Sequence, residues 1–126
     1  MLTRALVPLV LLAAPVLPQT AAARSNHAVD AVASASLGAQ GIEVQMRGKP
    51  FGSCRGTAVT VAGGAIFNTN CSGGRVTVAI RFGTIRSKGT WRITKVTGRY
   101  AGGSGRGTFN GSLATLRFRL RGNVRY

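Results

Sequence analysis

Apolar and polar residues take turns along most of this chain. In RVTVAIRF (75–82), Val76, Val78, Ile80 and Phe82 share one parity, while Thr77, Ala79 and Arg81 share the other. In TLRFRLR (115–121), Leu116, Phe118 and Leu120 alternate with Arg117, Arg119 and Arg121. Side chains of a strand repeat every two residues, so both segments predict half-buried strands with an apolar inner face and a wet outer one. IEVQM (42–46), GTAVTVAG (56–63), AIFNTN (65–70) and WRITKV (91–96) are shorter candidates of the same kind. Turn signals stand between them at Lys49-Pro50, Gly63-Gly64, Ser72-Gly73-Gly74, Ser87-Lys88-Gly89, Gly102-Gly103 and Asn110-Gly111. No segment past residue 37 carries a helical period. The expected fold class is all-β: a small antiparallel β-barrel, with a β-sandwich as the alternative.

The first 23 residues have a different pattern. Arg4 follows a short polar start, an apolar run extends from Ala5 to Leu17, and Ala21, Ala22 and Ala23 follow. These are the three parts of a secretory signal peptide, with cleavage expected after Ala23. The run is shorter than the roughly 20 residues a membrane span needs, and Pro8, Pro15 and Pro18 interrupt it. Residues 24–37 begin RSNHAVDAVASAS, small and polar without a sustained period, and predict a flexible leader or a short helix. The expected organisation is a signal peptide over 1–23, a leader over 24–37 and one barrel domain over 38–126. A secreted or periplasmic location follows from the signal peptide.

Charge narrows the partners. Lys and Arg total 17 against 2 Asp and Glu, a formal net charge of +15, and Arg4 is the only cation among residues 1–23. Such a surface repels itself and attracts polyanions. Arg117, Arg119 and Arg121 project from one face of a strand about 6.6 Å apart, twice the strand rise, and Arg81, Arg92 or Arg125 could extend the patch from neighbouring strands. Guanidinium groups pair bidentately with phosphate and carboxylate, so Arg117, Arg119, Arg121 and Arg81 are the candidate anion-binding residues. The alternative is a solvated outer face whose arginines blunt edge pairing.

Cys54 and Cys71 are the two cysteines of a chain bound for an oxidising compartment, which predicts a disulfide. The strand after Cys54 and the strand ending at Cys71 meet at Gly63-Gly64, so the bridge would tie the open ends of one hairpin. The spacing is not CxxC, and no second pair of Cys or His completes a zinc site, so neither metal nor other cofactor is expected. Acid–base chemistry has few groups to use: one histidine, His27, and two carboxylates, Asp30 and Glu43. Ser25, His27 and Asp30 lie in the leader and read as polar leader residues rather than a triad.

The glycine-rich stretch TGRYAGGSGRGTFNG (97–111) resembles a phosphate loop only superficially. Gly102 to Thr108 has the glycine spacing of a P-loop, but no lysine follows Gly107, and Gly103, Gly105 and Gly107 run GxGxG where a dinucleotide fingerprint needs GxGxxG. The glycines are therefore expected to serve turns of a sheet, with Tyr100 in the core or at its rim. On Trp91, Ile93, Thr94, Thr97–Ala101, Gly102, Gly105 and Gly107–Phe109, the segment 89–111 resembles a pattern of small secreted bacterial β-barrel proteins. It is also similar to the strand-turn-strand segment of the plant allene oxide cyclase and dirigent barrels. The resemblance covers about a fifth of residues 24–126 and implies an allene oxide cyclase-like barrel. Lys95-Val96 departs from it where the pattern has a glycine pair, and no acidic or polar residue of the plant enzymes can be placed here, so the resemblance carries no activity.

Together these features predict a non-enzymatic exported protein that associates with anionic polymers or anionic membrane surfaces through a basic face. An apolar-ligand carrier is one alternative. An isomerase-like enzyme using Glu43 inside the barrel is another.

Overall fold

The computed structural model describes residues 24–39 and 41–126; the expected signal peptide lies outside them. Eight strands follow one another along the chain: β1 (Asn26–Gly38), β2 (Gly41–Lys49), β3 (Gly52–Val61), β4 (Gly64–Cys71), β5 (Gly74–Phe82), β6 (Lys88–Val96), β7 (Ser104–Ser112) and β8 (Arg117–Arg125). Each pairs antiparallel with the next, and β8 returns to β1, so the sheet closes into a barrel and the sandwich is excluded. Closure leaves no unpaired strand edge.

Two expectations are corrected. Asn26–Gly38, expected as a loose leader, is β1 and is hydrogen-bonded to β2 on one side and β8 on the other. Its period is hidden because alanine stands on both faces: Val29, Ala31 and Ala33 are buried, while Ala28 and Asp30 are exposed. Small inward residues are what the site requires, since Ala33 lies between Met46 of β2 and Phe118 of β8. The second correction concerns the glycine-rich stretch. Gly98 and Gly102 do serve the β6–β7 connection, with left-handed φ of 66° and 77°. Gly105, Gly107 and Gly111, however, lie within β7, and the β7–β8 turn comes later, between Ser112 and Arg117. The Asn110-Gly111 pair is strand because Gly111 lets Phe118 pack across it: a Cβ there would stand 2.1 Å from the Arg117 carbonyl oxygen and 2.8 Å from the Phe118 ring.

The interior is filled by side chains from every strand, among them Val44, Met46, Phe67, Val76, Val78 and Trp91, all buried. Thr69, the one buried polar side chain among the described residues, donates its hydroxyl to the Val76 carbonyl at 2.8 Å. Trp91 of β6 lies against the backbone of β7 and β8. Its indole N–H is shared between the carbonyls of Thr108 on β7 and Arg121 on β8, each at 3.1 Å. Gly107 and Gly122 face each other there across the β7–β8 pair. A Cβ on Gly107 would meet the Arg121 carbonyl oxygen at 1.9 Å and the indole nitrogen at 2.7 Å.

The two ends differ. At the end bearing both termini of the described chain, Tyr100 packs edge-on against Phe51 and Tyr126, with centroids 5.3 and 5.0 Å apart, and Tyr126 stacks on His27 at 4.1 Å. Burial, with a smaller contribution from Tyr126, raises the Tyr100 phenol above its ordinary pKa, so that phenol is neutral at pH 7. Tyr100 is thus a core residue, as expected. Cys54 and Cys71 are cross-strand partners and form the expected disulfide, with Cα atoms 4.1 Å apart.

Substituting Gly107→Ala is expected to cost roughly 2–3 kcal/mol, because backbone and indole must both shift. Reducing the disulfide is expected to cost about 3 kcal/mol, chiefly through the unfolded chain. Chemical denaturation of each form against the parent checks both values.

Candidate functional site: a basic groove on the outer wall

Period-two alternation sends every second residue of β5–β8 outward, and the antiparallel register then aligns these residues in rows across the strands. One row runs Arg81, Thr90, Thr108, Arg121. The next places Arg92 directly opposite Arg106, which in turn faces Asn123. These rows and the β3–β4 turn line an open groove of about 1490 Å³, which Arg125 also borders; no Asp or Glu lines it. Like charges placed opposite each other across a strand pair repel. Arg92 and Arg106 are held in that relation with no acidic side chain in the groove to neutralise them.

The four residues expected to bind anions separate into two groups. Arg81 and Arg121 line the groove; Arg117 and Arg119 do not. Arg119 donates from Nε and Nη2 to the two Asp30 carboxylate oxygens, both at 2.9 Å. That fork occupies the donor face a phosphate would need. Arg106 is the member that reading the sequence missed, because SGRGTFNG was assigned to turns. Its signal was nonetheless present: Arg106, Thr108 and Asn110 alternate with Gly105, Gly107 and Phe109, as outer and inner faces of one strand should.

The candidate acid–base residues do not converge. His27 is stacked on Tyr126, while Asp30 projects outward to Arg119, so the two occupy opposite faces of β1. Glu43, the carboxylate that an isomerase-like interior would have used, is exposed on the outer side of β2. Compared with protein-family models, with curated proteins and with solved structures, the chain matches none. The likeness to allene oxide cyclase and dirigent barrels thus rests on the residues of 89–111 alone.

The Arg119 hydrogen bond holds the Asp30 carboxyl below its usual pKa, opposed by desolvation and aided by the positive charges of Arg119, Arg121 and Lys49. A folded-state pKa lowered in this way adds stability that is complete above the unfolded value and is lost as pH falls through the folded one. Arg119→Ala is expected to bring the Asp30 pKa back toward 3.8, as read by a carboxyl-carbon NMR titration. The stability difference between parent and variant should be present at neutral pH and shrink as pH falls below that value.

Proposed function

We propose that this protein is an exported, non-enzymatic binder of anionic polymers, and that the groove over β5–β8 is its binding surface. The observation that carries the reading is the opposed Arg92–Arg106 pair, flanked by Arg81, Arg121 and Arg125 in a groove without an acid. Folding leaves that repulsion unrelieved, and a chain of phosphates or carboxylates would relieve it. Thr90, Thr108 and Asn123 supply neutral hydrogen-bonding groups between the charges, suited to the oxygens of a polymer backbone. The same groups offer no base-reading pattern, so binding is expected to follow charge density rather than sequence.

Export to a secreted or periplasmic site belongs to the same proposal. It is supported by the three-part pattern of residues 1–23 and agrees with a disulfide, which persists in oxidising compartments. Kinship with the allene oxide cyclase-like barrels of secreted bacterial proteins is likewise proposed, on the 89–111 motif. The apolar-ligand carrier has less support, because Met46, Phe67 and Trp91 fill positions that would otherwise line a chamber.

The test is binding of residues 24–126 to mixed-sequence duplex DNA and to an acidic polysaccharide over a salt series. If the five groove arginines each neutralise a phosphate, log K for DNA should fall against log salt with a slope of about −4.5. Arg92→Ala/Arg106→Ala/Arg121→Ala is expected to weaken binding by at least about tenfold and to flatten the slope, whereas Arg117→Ala/Arg119→Ala should change it by less than about twofold. Equal losses in the two variants would mean diffuse charge without a site.

A further inference from the structure

Strands of an up-and-down barrel alternate in direction, so the β1–β2, β3–β4, β5–β6 and β7–β8 connections all emerge at the end opposite the aromatic plug. Every exposed large hydrophobic side chain among the described residues lies there: Leu37, Val59, Val61, Ile85, Leu113 and Leu116. Leu37 is 85% exposed and Ile85 61%, so both present most of their surface to water. One scattered apolar residue needs no explanation, but six gathered on four neighbouring tips, with none at the other end, mark a contact surface.

Cations stand just behind the tips. Arg86 sits in the β5–β6 loop, Lys88 opens β6 and Arg117 opens β8, all exposed, and Glu43 is the one acid near this end. Apolar tips with a basic collar match an anionic bilayer, where the tips enter the interface and the collar meets the headgroups. A second copy of the chain fits poorly, because its own collar would oppose this one on a protein of net charge +15. We propose that the open end of the barrel docks onto anionic lipid membranes through Leu37, Ile85, Leu113 and Leu116. These four residues lie outside the arginine groove, which reaches the apolar end only at Val61 and the β3–β4 turn, so either activity can fail without the other.

The test is sedimentation of residues 24–126 with vesicles of phosphatidylglycerol and phosphatidylcholine, and with phosphatidylcholine alone; the apolar run of residues 5–17 is omitted because it would itself partition. Leu116 has a left-handed φ of 55°, a conformation asparagine tolerates better than leucine. Leu116→Asn should therefore keep or raise thermal stability while weakening association with the mixed vesicles, and Leu37→Ser/Ile85→Ser/Leu116→Asn should weaken it by about tenfold or more. In a second measurement, Ile85→Trp should gain blue-shifted emission on adding anionic vesicles, while the groove triple variant should sediment like the parent at moderate salt. The proposal is overturned if the parent stays in solution with anionic vesicles. It is overturned equally if folded Leu37→Ser/Ile85→Ser/Leu116→Asn sediments like the parent, or if the parent self-associates through this end and only the dimer is lost in the variant.

Discussion

Trp91 needs a wall without side chains, and the rest of the barrel is arranged around that need. Its indole reaches the carbonyls of both β7 and β8 across Gly107, where a Cβ would stand 2.7 Å from the indole nitrogen, and Gly122 faces Gly107 on β8. Ordinary ladder bonds hold the two strands together, and the indole bond adds a third element, β6, to the same point. The outward residues beside this glycine window, Arg106, Thr108, Arg121 and Asn123, are the ones that line the groove. Interior packing and the proposed binding surface therefore share one piece of backbone. A large inward side chain at position 107 would push β7 outward and alter the spacing of the arginines on its other face.

Charge is distributed with equal consequence. Asp30 removes Arg119 from the available cations by holding its guanidinium fork, and it does so at the seam where β8 meets β1. The ion pair is exposed and screened by solvent, so its main effect is local: it fixes which arginines remain open. Those of the β5–β8 wall have no such partner. The aromatic plug at one end and the apolar tips at the other give the molecule a direction, with the groove on its flank reaching the β3–β4 turn at the apolar end.

Strands with strong contrast between faces were legible in the sequence. RVTVAIRF and TLRFRLR carry large apolar residues at every second position, and both are strands, though the second begins two residues later than the alternation does because Leu116 ends the preceding turn. The disulfide was legible too, since one hairpin lies between its cysteines. β1 was not, because a strand that packs between Met46 and Phe118 must be small on its inner face and so loses its hydrophobic contrast. β7 was not, because glycines placed for Trp91 and Phe118 to approach look the same as glycines placed for turns. Arg117 and Arg119 were expected beside Arg121 because alternation along β8 suggests a row parallel to the strand, whereas the groove runs across strands, through a β7 whose register only the folded chain reveals.

The central claim is that polyanions meet this protein at the wall over the glycine window. Its most direct test is a titration of isotopically labelled residues 24–126 with a short oligonucleotide, following backbone amide resonances. Shifts concentrated at Thr90, Arg92, Arg106, Thr108, Arg121 and Asn123, with Arg55 and Arg117 unmoved, are the expected result. Shifts spread evenly over all arginine-bearing strands, or centred on Arg117 and Arg119, would contradict it.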